Sequence, residues 1–315
     1  MERKLSVLIP AYNEEESIQE LYRQVMDSIH KCIDAEKVNE YEIWFVNDGS
    51  KDNTSQVIKE IIKQDRNVHL IDFRKNFGKS PALDAGFHNV TGDIVFTMDA
   101  DLQDDPKEFI RFIEKIDEGY DLVVGWKKNR LDPNEKKIAS KIFNKVTSSM
   151  SGVKLHDHDC GFKCFRKEVV KSLDVYGELH RYLPALAYRN GFKITEIDVE
   201  HHKREHGSSK YGMERYMRGA LDSLTTMFLL KYSDRPMYLF GRLGFWTGFV
   251  GFAICIYLTV VWIMGNSIGS RPLLTLGVLL LIMGVQFLSI GFLGNLLVDA
   301  TKRGRYSENH IKEII

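Results

Sequence analysis

The stretch "TMDADLQDD" (97–105) sets Asp99, Asp101, Asp104 and Asp105 directly behind the apolar run "DIVF". Carboxylates this close repel one another unless a cation lies between them. If strand geometry persists past the apolar run, Asp99 and Asp101, two positions apart, point to one side. An all-oxygen pair selects a hard ion, Mg²⁺ or Mn²⁺, which usually completes its shell with substrate phosphates. A plainer reading is a solvated acidic turn in which Asp105 caps a helix opened by Pro106. No G-x-G-x-x-G follows the first apolar run and no G-x-x-x-x-G-K-[ST] occurs, which argues against a bound dinucleotide or P-loop triphosphate. A metal-bound diphosphate without a glycine cradle points instead to a sugar nucleotide.

Such groups need elements to position them. The runs "LSVLIP", "YEIWFV", "VHLIDF", "DIVFTM" and "YDLVVGW" read as strands, and helical patterns at 54–64, at 75–89 and after Pro106 alternate with them. Asn13 is placed to cap a first helix that carries Glu14, Glu15 and Glu16 in its opening turn, with Ile18, Leu21, Val25 and Ile29 on one face. This alternation predicts an α/β fold, a mostly parallel sheet with helices on both faces. Ligands in such sheets bind at the carboxyl ends of the strands. The polar clusters "PAYNEEE", "NDGS", "RKNFGKS" and "DADLQDD" all fall there.

Composition bounds the partners. The 315 residues balance 43 Lys and Arg against 43 Asp and Glu, so net charge gives no reason to expect nucleic acid. The 4 cysteines lack metal-type spacing and predict neither a disulfide framework nor a zinc site. The N-terminal apolar run is too short for a signal peptide. Residues 243–264 and 273–298, by contrast, contain no charged residue, and each is long enough to cross a hydrocarbon core of about 30 Å. Two transmembrane helices are expected. Lys231, Arg235 and Arg242 precede the first span and Lys302, Arg303 and Arg305 follow the second, against Arg271 in the connector. That bias places both termini and the N-terminal domain in the cytoplasm, on the cytoplasmic membrane. The predicted divisions are a catalytic domain at 1–212, an amphipathic interfacial segment at 213–236, a two-helix hairpin at 237–300 and a tail at 301–315. Gly244, Gly248 and Gly251 would permit close helix contact, within the hairpin or between subunits.

"IPAYNEEESI", "VNDGSKDNT", "RKNFGKSPALDAGF" and "DADLQDDP", in that order, resemble a family 2 glycosyltransferase of the GT-A fold. The resemblance is nearest to the polyprenyl-phosphate glycosyltransferases, the group of the bactoprenol glucosyltransferases and the dolichyl-phosphate mannose and glucose synthases. It extends over almost the whole chain, because "DHDCGFKCFR", "HHKREHGSSKYG" and the two spans share that layout.

The resemblance implies roles for particular residues. Pro10, Ala11, Tyr12 and Glu14 would line the base and ribose, with Asp48 contacting the uracil or ribose. Asp99 and Asp101 would hold the divalent ion, assisted by Gln103, and Asp99 would also meet the donor. Arg74 and Lys79 would meet donor phosphates or sugar. Arg204, Ser209, Lys210 and Tyr211 would belong to a loop closing over donor and lipid phosphate; simple attraction of its cations to anionic headgroups, the plainer alternative, is worth about 1 kcal/mol per cation. Asp157 is the candidate acceptor-side carboxylate, as base or orienting group, with Asp159 and Glu178 as competitors. The reaction implied is inverting transfer of a hexose from a UDP-sugar, UDP-glucose first and GDP-mannose less favoured, to polyprenyl phosphate. Transfer of GlcNAc or mannose, and a diacylglycerol acceptor, are the alternatives. The Q-x-x-R-W signature of processive synthases is absent, and "ELHRYLP" stands in its place. Relatives suggest a homo-oligomer such as a tetramer.

Overall fold

The computed structural model describes residues 3–128, 144, 147–149, 151–200, 228, 232, 235–268 and 272–302. It divides into two compact units, Met1–Met227 and Phe228–Ile315.

In the first unit, strands β1 (Lys4–Ala11), β2 (Glu40–Asn47), β3 (Val68–Asp72), β4 (Ile94–Thr97), β5 (Leu122–Trp126), β6 (Lys163–Arg166) and β7 (Ile194–Asp198) form one sheet. Its order is β3-β2-β1-β4-β6-β5-β7. Every pairing is parallel except those of β6, which runs antiparallel between β4 and β5. Helices α1 (Ile18–Asp34), α2 (Thr54–Gln64), α3 (Lys79–Asn89) and α4 (Phe109–Asp117) connect the first strands. They are followed by α5 (Lys167–Lys171) and α6 (Leu183–Arg189). Leu5, Val7, Leu8 and Ile9 of β1 are all 0% exposed, as expected of a strand covered on both faces. The core continues in a phenylalanine cluster, with Phe96 and Phe109 ring centroids 4.2 Å apart and Phe112 and Phe162 4.7 Å apart.

The expected apolar face of α1 is buried, with Ile18, Leu21, Val25 and Ile29 turned inward. Its start differs from the expectation. Asn13 does not cap α1, which begins at Ile18 behind Ser17. Asn13 instead adopts φ 55°, and its Oδ1 accepts from Lys51 N at 2.8 Å, stitching the loop after β1 to the loop after β2. Helix α3 likewise begins at Lys79 rather than at 75, because Gly78 stands at φ 98° before it.

In the second unit, α7 (Met237–Ile263) and α8 (Pro272–Lys302) pack as a hairpin. Each is long and apolar enough to cross a membrane, with only 11% of its most apolar window buried. The glycines are used up within this hairpin: a Cβ on Gly244 would stand 2.7 Å from Gly284 O, one on Gly284 2.8 Å from Gly248 Cα, and one on Gly251 2.8 Å from Gly277 O. Phe245, Trp246, Phe249 and Trp262 face outward. Most of 213–236 and all of 303–315 lie outside the described residues.

Candidate active site at the carboxyl edge

The carboxyl edge of the sheet gathers the expected loops. Pro10 and Ala11 end β1, and Tyr12 beyond them is exposed. Glu14 N donates to Thr54 Oγ1 at 2.9 Å, and Ser17 Oγ donates to Glu14 Oε2 at 3.0 Å, so Glu14 helps to fix the entry to α1. Asp48 is buried, and its two oxygens accept from Phe77 N at 2.7 Å and Gly78 N at 2.9 Å. In this structure its carboxylate shapes the loop that carries Arg74 and Lys79. Gly49, at φ 66°, makes that approach possible, since a Cβ there would stand 2.2 Å from Lys75 C. Arg74 is exposed on the same loop.

Strand β4 ends at Thr97, so the alternation argument for Asp99 and Asp101 does not apply. A turn replaces it: Leu102 takes φ 60°, and Gln103 N donates to Asp101 Oδ1 at 3.3 Å. Asp105 caps the following turn by accepting from Lys107 N, the plainer role read from its place before Pro106.

Lys79 Nζ donates to Asp99 Oδ1, and the two side chains are 30% and 35% exposed. Burial works to raise the Asp99 pKa, but the charge and hydrogen bond of Lys79, with Lys127 and Lys163 behind, hold it below the usual carboxylate range. Asp104 lies deeper. Its side chain is 0% exposed, Lys127 Nζ stands 2.7 Å from Oδ1 as an ion pair, and neither oxygen meets hydrogen-bond geometry. Burial opposes the Lys127 charge, yet Asp104 keeps its pKa above that of an ordinary lysine.

Asp157 is 1% exposed. Asp159 and Glu178 prove to share a cation: Arg181 Nη1 lies 3.5 Å from Asp159 Oδ2 and its Nε 3.1 Å from Glu178 Oε2. His180 beside it meets Ser80 Oγ twice, through Nδ1 at 2.9 Å and its backbone N at 3.1 Å. Burial first, then Lys79 and Arg181, push its pKa down to about 2, so the ring is neutral. The stretch "ELHRYLP" is thereby tied to the start of α3, next to Lys79. Sequence reading missed Lys127, Lys163, His180 and Arg181. Lys163 stands within "DHDCGFKCFR", and His180 and Arg181 within "ELHRYLP", the stretch where Q-x-x-R-W would be, but the motifs alone give none of them a role. Arg204, Ser209, Lys210 and Tyr211 lie outside the described residues.

Among the described residues, no group of three or more His, Cys, Asp or Glu surrounds one point as a closed metal cage. The donor set nevertheless fits an ion that takes only part of its shell from protein. Asp99, Asp101 and Gln103 offer oxygen donors on one short turn, and bare backbone at Gly161 keeps clear the space beside Asp99 Oδ2. Such a set suits Mg²⁺ or Mn²⁺ sharing a diphosphate.

The glycosyl transferase family 2 model matches residues 6–174. Dodecaprenyl-phosphate galacturonate synthase of Rhizobium johnstonii (strain DSM 114642 / LMG 32736 / 3841) is 36% identical over 314 residues, 98% of this chain and 91% of that protein. Among solved structures, glucosyl-3-phosphoglycerate synthase from Mycobacterium tuberculosis in complex with Mn²⁺ and UDP-glucose is similar with TM-score 0.51 and 18% identity, over 71% of this chain and 79% of that one. The same enzyme with Mn²⁺, UDP-glucose and phosphoglyceric acid gives TM-score 0.50 and 19% identity, over 72% and 79%. At that identity the likeness is one of fold, and the fold is GT-A.

Proposed function

The chain belongs to glycosyl transferase family 2, and from that premise we propose that it moves a hexose from a nucleotide sugar to a polyprenyl phosphate at a membrane surface. The observation that carries this reading is the 36% identity to a dodecaprenyl-phosphate sugar synthase over 98% of the chain, hairpin included. UDP-glucose is the donor to test first, and UDP-galacturonate stands beside it because of that relative's name.

Asp99 and Asp101, with Gln103, would hold the divalent ion, which would offset the charge of the leaving diphosphate. Lys79, Lys127 and Lys163 add positive potential around Asp99. Pro10, Ala11, Tyr12 and Glu14 border the base and ribose, and Asp48 holds the loop that brings Arg74 and Lys79 to the donor. The acceptor phosphate, with a second pKa near about 6, is already mostly a dianion at neutral pH. One of its oxygens bonds to the anomeric carbon as the bond from that carbon to the β-phosphate oxygen breaks. The electron pair leaves with the nucleoside diphosphate, and the anomeric carbon inverts. A strong base is less necessary than for a hydroxyl acceptor, and the acceptor-side carboxylate, as base or orienting group, is assigned to Asp157, with Asp159 and Glu178 as its competitors. Arg204, Ser209, Lys210 and Tyr211 are assigned to its phosphate. The hairpin α7–α8 sits in the cytoplasmic membrane with the catalytic domain and both termini on the cytoplasmic side.

The test is a membrane assay with undecaprenyl phosphate, Mn²⁺ or Mg²⁺, and UDP-glucose, UDP-galacturonate, UDP-GlcNAc or GDP-mannose. Labelled sugar should enter the organic phase only with metal, and mild acid should release it. An acid-stable product would point to a diacylglycerol acceptor and overturn the reading, as would transfer without any divalent ion.

A further inference from the structure

The segment "DHDCGFK" reads from sequence as acceptor-side, yet the sheet carries its second half up against Asp99. Because β6 is inserted antiparallel beside β4, Thr97 pairs with Lys163, and the residues just before β6 pass the residues just after β4. Gly161 therefore lies against Asp99. A Cβ at Gly161 would stand 2.6 Å from Asp99 Oδ2 and 2.8 Å from its Cγ, closer than such atoms approach without something moving.

The backbone side of this contact is held in place. Thr97 Oγ1 donates to Gly161 O at 2.9 Å, and the buried Lys163 Nζ donates to Cys160 O, so the backbone around Gly161 is fixed from two directions. Asp99 is a short side chain whose other oxygen, Oδ1, is held by Lys79. A methyl group at position 161 would be relieved most readily by rotating the carboxylate away from its place on the loop.

We propose that Gly161 is a positioning residue for the metal seat: its missing side chain fixes where the Asp99 carboxylate stands, and Thr97 and Lys163 hold the glycine in register. This rests on the reading that Asp99 holds the divalent ion. Gly161 touches neither metal nor sugar in this role and acts only through Asp99.

The experiment uses the full chain in nanodiscs and Mn²⁺ as the probe, with free Mn²⁺ counted by electron paramagnetic resonance. Gly161→Ala should weaken Mn²⁺ binding by roughly 10- to 100-fold, the scale on which groups behind a metal ligand act. In the transfer assay the Mn²⁺ concentration for half-maximal rate should rise while kcat at saturating Mn²⁺ largely recovers, a split that general loss of structure would not give. Thr97→Val keeps the shape of the strand and removes only the bond to Gly161 O. It should shift Mn²⁺ affinity in the same direction by a smaller factor, and it decides the matter alone if Gly161→Ala does not fold. Wild-type Mn²⁺ affinity in either folded variant, with the wild type itself metal-dependent, overturns the positioning role and leaves the proposed reaction standing. Failure of the wild type to bind Mn²⁺ overturns the metal reading and this role together.

Discussion

The two ends of the sheet each bury a carboxylate next to a lysine, and they treat it differently. At the amino end Glu42 is saturated: Ser6 Oγ donates at 2.6 Å, Thr91 N at 2.6 Å and Thr91 Oγ1 at 2.9 Å, and Lys4 Nζ lies at 2.7 Å. Burial works to raise its pKa, but Lys4, Ser6 and Thr91 outweigh that and hold it at about 2. At the carboxyl end Asp104 pairs with Lys127 with neither oxygen in hydrogen-bond geometry, and Asp99 is held by the half-exposed ammonium of Lys79. A carboxylate filled by fixed donors is a structural joint. One balanced mainly by a side-chain charge can exchange that partner for another cation, as a site that handles metal and diphosphate must.

The comparison breaks most visibly at Asp99. Asp99→Asn or Asp101→Asn should lower transfer at least ~100-fold, the scale of losing a main electrostatic stabiliser of the leaving group. Circular dichroism should stay native, and residual activity near wild type would sink the metal assignment. The deeper pair answers in stability instead of in rate. Lys127→Met leaves Asp104 buried without its counter-charge and should cost about 3–5 kcal/mol in thermal unfolding. Joining it to Asp104→Leu should restore most of that stability; a double variant as unstable as the single one would show that the pair is not what Lys127 serves.

The amino end should answer to pH instead of to substrate. With its folded pKa depressed to about 2 from an ordinary 4.5, Glu42 contributes stability that is complete above the ordinary value and lost as pH falls through about 2. That contribution is on the order of 3 kcal/mol. Glu42→Gln should flatten the acid limb of stability and leave kcat unchanged, so a loss of kcat would blur the division between the two ends. The smallest effect is expected at Asp48. Asp48→Asn keeps one acceptor for the Phe77 and Gly78 amides and should cost about 1–2 kcal/mol in kcat/KM, through the KM for the donor. A kcat effect without a KM effect would place Asp48 nearer the reacting atoms.

The sequence alone determined what is local. The apolar runs of β1, β2, β3 and β4, the periodic face of α1, the motif loops at strand ends and the uncharged lengths of α7 and α8 are written within short windows, where side-chain period and hydrophobic length act directly. Strand β6 left little signal, because "KCFR" is four residues with a charge at each end and gains its place only by pairing between β4 and β5. What tertiary structure decided was which distant residues meet. Thr97 reaches Gly161 across 64 positions and Ser80 reaches His180 across 100, and Arg181 joins the two carboxylates that sequence could name only as rivals. It also settled that the glycines of α7 serve the hairpin's own helix contact. The reason is physical: periodicity fixes the conformation and exposure of a segment, whereas strand order, register and close packing are collective choices of the whole sheet, and those choices brought Gly161 against Asp99.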